Sequence, residues 1–260
     1  MNDRNFALVT GASSGIGESF ARALAGRRQN LVLAARSKDK IESLAHELAR
    51  NHGIEALAYP IDLAVPGSPA NLVEWLQKSK LHVQLLVNNA GFGAQDKFLK
   101  IPLERQAQMV QLNIQAVLEL SWLLIPAMVE RRAGSIINVS SAVSFQPIPH
   151  MATYSATKAF VTSFSLALAQ ELDGTGVRVV TLCPGTTRTS FFDSGGFSQG
   201  GFRRAMQEPA EVVAKALKAL DRGGGLALPR KLDRLMIFLE RFLPRRWVVL
   251  AAGEIFRRQD

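Results

Sequence analysis

The chain has 260 residues, of which 47% are hydrophobic and 20% charged, and its formal net charge is +9. This composition excludes global disorder, and the length is typical of one large α/β domain. A single cysteine, Cys183, excludes an internal disulfide, and the spacing of the four histidines indicates no metal site.

The sequence pattern carries no sign of a membrane span or an export signal. No apolar run approaches the roughly 20 residues of a membrane span, and no basic segment followed by a long apolar one marks the N-terminus. We therefore expect neither a transmembrane segment nor a signal peptide, and a cytoplasmic location.

Short runs of branched apolar residues alternate with longer segments of helical periodicity. The predicted strands are residues 6–10, 30–35, 55–60, 81–88, 134–140, 177–183 and 225–228, and the predicted helices are 15–28, 38–52, 69–80, 103–131, 154–172 and 209–222. Nearly continuous apolar strands joined by helices predict a parallel sheet with helices on both faces. We expect a single doubly wound, Rossmann-type α/β domain over residues 1–260, with about seven strands and with ligands at their carboxyl ends.

Residues 190–208 interrupt this pattern because they are rich in glycine and phenylalanine. Glycine permits hinge dihedrals, and phenylalanine supplies an apolar underside, as in a flap that closes over a nonpolar substrate. An ordinary surface loop is the alternative interpretation.

Residues 231–260 form a basic extension in which apolar residues fall at helical spacing. Such an amphipathic helix can dock on the core, pair across a dimer or make peripheral contact with a membrane. From residue 200 onward, thirteen Lys or Arg stand against seven Asp or Glu, a net of +6. This bias suits an anionic membrane surface or an acidic partner protein, or is a solvated face. Because no nucleic-acid-binding motif accompanies it, we expect no nucleic-acid partner.

The first predicted strand runs into a turn that contains Gly11, Gly15 and Gly17, after which a helical pattern begins. A tight turn, a closely approaching backbone and a helix N-terminus together favour binding of a dinucleotide pyrophosphate. The alternative is that the glycines only shape a strand-to-helix turn. The cofactor contacts predicted here are Gly11, Ser13, Ser14, Gly15, Ile16 and Gly17.

Cofactor selectivity is predicted from the end of the second strand. Arg36 stands nineteen residues after Gly17, where dinucleotide-binding folds place an acidic residue that holds the ribose 2′-hydroxyl. Its guanidinium suits a 2′-phosphate and no carboxylate stands beside it, so NADP(H) is favoured over NAD(H). After the third strand, Asp62 and Leu63 are placed to meet the adenine.

Tyr154 and Lys158 are four residues apart in a helical pattern and therefore share one helix face. An ammonium group about 4–6 Å away lowers the pKa of a phenol, which makes tyrosine a better proton donor and acceptor. The preceding strand ends in Ser140 and Ser141, so a serine hydroxyl and the phenol can reach one substrate carbonyl. By itself, this tyrosine–lysine spacing is also common on ordinary helix surfaces.

Together these motifs resemble the classical short-chain dehydrogenase/reductase family over nearly the whole chain, and Arg36 resembles its NADP-preferring members. The matching motifs are the glycine turn at 10–17, Asn88-Asn89-Ala90-Gly91, Asn113, Ser141, Tyr154-Ser155-Ala156-Thr157-Lys158 and Pro184-Gly185. By this resemblance, the catalytic residues are Asn113, Ser141, Tyr154 and Lys158. The further cofactor contacts that it implies are Asn89, Ala90, Gly91, Tyr154, Lys158, Pro184, Gly185, Thr187 and Thr189.

The resemblance also implies a role for each catalytic residue. Tyr154 is the general acid/base, and Ser141 binds the substrate oxygen. Lys158 binds the nicotinamide ribose and lowers the tyrosine pKa, while Asn113 holds a water that relays protons to it. Thr187 departs from the family pattern, which usually has an aliphatic residue at this position.

The leading hypothesis is an NADP(H)-dependent oxidoreductase that interconverts a fairly apolar carbonyl and its alcohol. A second hypothesis is a 3-oxoacyl-(acyl carrier protein) reductase, whose acidic carrier protein would meet the basic extension. A third is a non-catalytic NADP(H)-binding sensor or scaffold. The resemblance further implies a small-molecule substrate and a homodimer or homotetramer.

Overall fold

Seven parallel strands form the centre of the protein in a computed structural model, which describes residues 5–191, 206–240 and 242–256. The strands are β1 (Asn5–Thr10), β2 (Asn30–Ala35), β3 (Ala56–Pro60), β4 (His82–Asn88), β5 (Gly134–Val139), β6 (Val177–Leu182) and β7 (Gly225–Ala227). Every residue of β5 is buried, as expected for a strand covered on both faces. The predicted sheet is confirmed, with each strand boundary within one residue of the prediction.

Nine α-helices are found in the described part of the chain. They are α1 (Gly15–Gly26), α2 (Lys38–His52), α3 (Ser68–Lys78), α4 (Leu103–Val110), α5 (Ala116–Glu130), α6 (Ala152–Glu171), α7 (Pro209–Asp221), α8 (Lys231–Glu240) and α9 (Arg245–Ile255). A π-helical turn at Gln111–Gln115 joins α4 to α5, so this region runs on as the one long helix that the sequence predicts. The extension forms two helices, α8 and α9, where the sequence predicts one.

The order of the strands in the sheet creates a crevice. The order is β3-β2-β1-β4-β5-β6-β7, so the chain builds outward from β1 to β3 and then returns to place β4 on the other side of β1. In a doubly wound sheet, the connections after these two central strands leave in opposite directions and open a ligand-binding crevice between them. The glycine turn follows β1 and the Asn-Asn-Ala-Gly motif follows β4, so both motifs lie at this crevice.

The core has one layer on each face of the sheet. On one face, side chains of α1, α2 and α7, such as Phe20, Leu48 and Leu217, pack against the strands. On the other face, α3 and α5 supply Leu72 and Leu120, and the end of α6 joins them. These layers hold the strand ends, and therefore the crevice, in a fixed arrangement.

One described helix, Leu103–Glu130, is long and apolar enough to cross a membrane by length and composition. No uninterrupted apolar run marks this helix in the sequence, because polar residues such as Gln115 and Glu119 interrupt it. The apolar character has a local explanation, since Leu120, Leu124 and Met128 of α5 are buried against the sheet. A core helix passes the same test, so the feature is weak support for a membrane span.

The predicted flap at 190–208 lies mostly outside the described residues, which omit 192–205. Its two ends are joined by hydrogen bonds: the Gln207 amide donates to the Thr186 carbonyl, and the Arg188 amide donates to the Gln207 carbonyl, both at 2.9 Å. The segment therefore leaves and rejoins the domain beside Thr187, directly after β6.

Candidate active site

The ends of β1 and β4 are tied together by side-chain hydrogen bonds. The buried Thr10 hydroxyl accepts from the backbone amides of Asn89 and Ala90, each at 3.0 Å. The Asn89 side chain donates in turn to the Thr10 carbonyl at 2.9 Å. These contacts bring the Asn89-Ala90-Gly91 motif against the glycine turn, as the predicted dinucleotide site requires.

The glycine turn allows backbones to approach closely. Gly11 has a φ of 65°, which favours glycine, and a Cβ on Gly17 would lie 2.2 Å from the Gly11 carbonyl oxygen. The exposed Ser14 side chain does not cap α1, so the amides of its first turn face outward at the positive end of the helix dipole. Ser13 and Ile16 are partly buried in the same turn. This arrangement fits a dinucleotide pyrophosphate.

Arg36 follows β2 with a side chain that is 75% exposed, and its Nη1 atom lies 3.9 Å from a carboxylate oxygen of Asp62. The expectation that no carboxylate stands beside Arg36 is wrong, because the neighbouring strands β2 and β3 end at the same sheet edge. Exposed ion pairs of this kind are worth about 0–1 kcal/mol, so Arg36 remains available to a phosphate. The Leu63 side chain is buried in the core and leaves only its main chain near this edge.

Asn113 lies in the π-helical turn and holds the loop that follows β4. Its side-chain oxygen accepts from the Phe92 amide at 3.1 Å, and its side-chain nitrogen donates to the Phe92 carbonyl and the Thr157 hydroxyl, each at 3.0 Å. Gly91 makes this approach possible, because a Cβ there would lie 2.9 Å from the Asn113 oxygen. Asn113 thus joins the β4 loop to α6, and single π-helical turns of this kind are frequent at functional sites.

The structure separates the two serines at the end of β5. The buried Ser140 hydroxyl donates to the Lys158 carbonyl at 2.8 Å and shares a 2.7 Å hydrogen bond with Thr162, so it faces α6. The Ser141 hydroxyl accepts from the Val143 amide at 3.3 Å and hydrogen-bonds to the Tyr154 phenol. Ser141 is therefore the serine that meets the tyrosine.

Lys158 is a buried cation that lies between the end of β5 and the Asn89-Ala90-Gly91 motif. Its Nζ atom donates to the Val139 carbonyl at 2.9 Å, and a Cβ on Gly91 would lie 3.5 Å from it. Burial lowers the pKa of Lys158 from 10.5 to about 8, because desolvation disfavours the ammonium. The group still carries its proton in most molecules at neutral pH.

Tyr154 is also buried, and its burial shifts the pKa of the phenol in the direction opposite to the one that the sequence predicts. Burial raises the pKa of Tyr154 from 10.0 to about 12, although the hydrogen bond with Ser141 acts in the opposite direction. The net direction is opposite to the lowering that the sequence predicts, because desolvation of the phenol dominates, while the Lys158 Nζ atom lies 5.9 Å from the ring centroid. At neutral pH the phenol keeps its proton and can act as a donor.

The loop after β6 closes the other side of the crevice. The Pro184 carbonyl accepts from the Ala142 amide at 2.8 Å, and the buried Thr187 hydroxyl donates to the Gly185 carbonyl at 3.0 Å. Thr189 lies on the glycine turn, since a Cβ on Gly15 would come within 2.8 Å of its methyl group. Thr187 thus stabilises its own loop, while Thr189 faces the turn where the cofactor contacts are predicted.

Sequence reasoning missed the apolar surroundings of the phenol. Tyr154 packs in a cluster with Met151 and Ala252, and the Phe191 ring lies 5.5 Å from the Tyr154 ring, centroid to centroid. Phe92 and Phe256 pack against the same cluster. These residues come from four separate segments of the chain, and no local pattern marks them as neighbours.

The glycine turn, the buried lysine and the serine–tyrosine pair lie at the same edge of the sheet, the arrangement that a Rossmann-type dinucleotide site requires. The family model for short chain dehydrogenases matches residues 5–196, and the chain belongs to this family.

Three known proteins illustrate the similarity. The very-long-chain 3-oxoacyl-CoA reductase of Rattus norvegicus is 34% identical over 183 residues, which cover 69% of this chain and 58% of the relative. A short-chain dehydrogenase from Sphingobium yanoikuyae, solved in complex with NADPH, is 31% identical with a TM-score of 0.81, covering 92% of this chain and 96% of that one. The bulky-bulky ketone specific alcohol dehydrogenase from Comamonas testosteroni is 29% identical with a TM-score of 0.77, covering 94% and 96%.

The buried ammonium predicts how stability depends on pH. Below about pH 8 the burial penalty on Lys158 is fully present, and it shrinks between about pH 8 and 10.5, where the folded state loses its proton before the unfolded state does. The unfolding free energy of Lys158→Met, relative to wild type, should therefore fall by roughly 2 kcal/mol between about pH 7 and pH 10 in paired urea titrations. Lys218→Met, at an exposed position of α7, is the control and should show no such trend. An equal trend in both variants would contradict the burial of the charge.

Proposed function

We propose that the protein is an NADPH-dependent reductase that converts a fairly apolar ketone or aldehyde to its alcohol, and that can run in reverse. The observation that carries this proposal is the hydrogen-bonded pair of Ser141 and a protonated Tyr154, buried in an apolar cluster beside the crevice. Two hydroxyl donors on one carbonyl oxygen stabilise the charge that grows there during reduction.

The cofactor assignment rests on the crevice and on Arg36. The pyrophosphate fits the turn at Gly11–Gly17, where the free amides of α1 face outward, and the exposed Arg36 guanidinium suits a 2′-phosphate. The Sphingobium yanoikuyae neighbour, which was solved with NADPH, supports the same cofactor. NADPH supplies the hydride that reduces the carbonyl.

Each catalytic residue has a distinct task in this proposal. Tyr154 donates its proton to the substrate oxygen, and Ser141 donates a hydrogen bond to the same atom. Lys158, fixed by the Val139 carbonyl beside Gly91, holds the nicotinamide ribose and keeps positive charge near the phenol. Asn113, whose side chain is engaged by Phe92 and Thr157, holds the loop after β4 against α6 and holds the water that relays protons to Lys158.

The substrate class follows from the surroundings of Tyr154. The partly buried rings of Phe92, Phe191 and Phe256 pack against the cluster that holds Tyr154 and Met151. Such a lining suits a hydrocarbon chain or ring next to the carbonyl. The ketone-specific Comamonas testosteroni enzyme is a neighbour of this kind.

A second candidate substrate is a 3-oxoacyl thioester. The curated relative acts as a very-long-chain 3-oxoacyl-CoA reductase, although the chain spans only 58% of its length. The basic extension would suit either the phosphates of coenzyme A or an acidic carrier protein. A non-catalytic NADP(H) sensor is disfavoured, because a protein that only binds the cofactor has no need for Ser141 against Tyr154.

Self-association and location complete the proposal. Trp122 and Leu118 of α5 and Phe160 of α6 are exposed apolar side chains, which supports a homodimer or homotetramer through these helices. A cytoplasmic location is consistent with the single cysteine, which is buried as a free thiol.

The proton-donor role is tested with the two tyrosines of the chain. Tyr154→Phe should retain NADPH affinity but lose at least about a hundredfold in kcat, because a positioned acid contributes about 10²–10⁴ in rate. Tyr59→Phe, on β3 against Trp75, should turn over normally. The assay follows NADPH oxidation with apolar ketones, aldehydes and 3-oxoacyl-CoA thioesters. Substantial turnover by Tyr154→Phe would refute the assignment.

The cofactor preference is tested at Arg36. Arg36→Asp should lower the ratio of kcat/KM for NADPH to that for NADH by tenfold or more, because two charge-assisted hydrogen bonds become a repulsion. Arg50→Asp, at the far end of α2, carries the same charge change and should leave the ratio unaltered. An unchanged preference in Arg36→Asp would mean that another group holds the phosphate.

A further inference from the structure

The C-terminal helices α8 and α9 expose an unusual amount of apolar surface. Ten of the twenty large hydrophobic side chains that are exposed in the described residues lie between 232 and 255. On α8, Leu232, Leu235, Met236 and Leu239 have the i, i+3, i+4, i+7 spacing of one helix face. Trp247 and Leu250 of α9 are exposed as well.

The orientation of α8 is the reverse of that of an ordinary surface helix. Two carboxyl groups of α8 face the domain. Asp233 approaches Gly185, where a Cβ would lie 2.4 Å from the Asp233 carboxylate. The side-chain amide of Gln146 lies 2.7 Å from a carboxylate oxygen of Glu240. Burial raises the pKa of both carboxyl groups. A surface helix normally turns its apolar stripe to the core and its charges to water. Here the two carboxyl groups of α8 face the domain, and the apolar stripe is left outside.

The charge of the extension indicates what kind of partner covers the exposed apolar face of α8. Residues 231–260 contain seven Lys or Arg against four Asp or Glu. Two of the four acidic groups, Asp233 and Glu240, are turned toward the domain, while Arg234, Arg245 and Arg246 are exposed. A second copy of the chain would bring the same basic groups together, whereas an anionic surface neutralises them.

A lipid bilayer matches this combination better than a folded protein does. Interfacial helices insert Leu, Phe and Trp among acyl chains while Lys and Arg meet the headgroups, and they require no shape complementarity. The α8 stripe and the α9 tryptophan provide the apolar side chains that insert, and the exposed arginines provide the basic groups that meet the headgroups.

We infer that α8 and α9 form a docking surface for an anionic membrane, which holds the protein on the bilayer without spanning it. The surface adjoins the active site, because Ala252 of α9 is buried in the cluster around Tyr154 and the Phe256 carbonyl accepts from the Gln95 side chain at 2.8 Å. Docking therefore holds the apolar side of the active site close to the lipid. The inference does not depend on the identity of the substrate.

The test is sedimentation of the purified full-length protein with vesicles of phosphatidylcholine, alone or mixed with equal parts of phosphatidylglycerol. We expect binding to the mixed vesicles, at least tenfold weaker binding to phosphatidylcholine alone, and weakening by salt. Leu235→Glu should reduce binding roughly tenfold, because an apolar side chain becomes a repelled charge. Arg245→Glu should reduce it by a similar factor.

Two matched variants serve as controls. Val65 follows β3 at the opposite edge of the sheet and is 53% exposed, against 52% for Leu235, so Val65→Glu makes the same change away from the surface. Lys40→Glu on α2 matches the charge change of Arg245→Glu. Both controls should bind vesicles like wild type, and unaltered circular dichroism shows that each variant folds.

Three results would overturn the inference. One is the absence of binding to the anionic vesicles. Another is an equal loss of binding in Leu235→Glu and Val65→Glu, which would show that the loss comes from the change in net charge and not from the α8 surface. The third is a shift of Leu235→Glu to a smaller species in sedimentation velocity without vesicles, which would identify a second copy as the occupant.

Discussion

The buried ammonium of Lys158 is the interaction on which the site depends. A charge in the interior is costly unless hydrogen bonds hold it, and here the Val139 carbonyl at the end of β5 accepts from it at 2.9 Å. That contact fixes α6 against the sheet edge, and it places Tyr154, one turn earlier, over the Ser141 hydroxyl. The cation, the phenol and the serine are thus positioned by one helix and one strand end.

The same edge of the sheet explains why the cofactor and the acid/base pair can meet. The switch in strand order leaves a crevice beside β1 and β4, and Thr10 ties the two strand ends together through Asn89 and Ala90. Gly91 brings the loop after β4 to within reach of both Asn113 and Lys158. Rigid strand ends and small residues therefore bring the glycine turn and the Asn89-Ala90-Gly91 motif together, although they are more than fifty positions apart in sequence.

Much of this arrangement follows from local sequence signals. The apolar strands, the glycine turn and the helical spacing of Tyr154 and Lys158 depend on neighbouring residues, and each predicted strand lies within one residue of the observed one. Features that depend on tertiary contacts were not predictable. Asp62 lies beside Arg36 only because β2 and β3 are adjacent, and burial from several segments sets the direction of the Tyr154 pKa.

The C-terminal extension shows the same limit. Apolar periodicity predicts an amphipathic helix, but the spacing does not say which side faces the domain. The structure turns Asp233 toward Gly185 and leaves Leu235 outside. Likewise, nothing near Ala252 or Phe256 in the sequence indicates that they pack with Tyr154, roughly a hundred residues earlier.

Reduction of a carbonyl by NADPH at this site is tested by following the transferred hydrogen. NADPH labelled with deuterium at the nicotinamide C4 position, on each face in turn, is incubated with the best ketone of a panel, and the alcohol is analysed by mass spectrometry. Direct hydride transfer at this site should place one deuterium on the carbinol carbon, from one labelled face only. An alcohol that carries no deuterium from either face would contradict direct hydride transfer at this site.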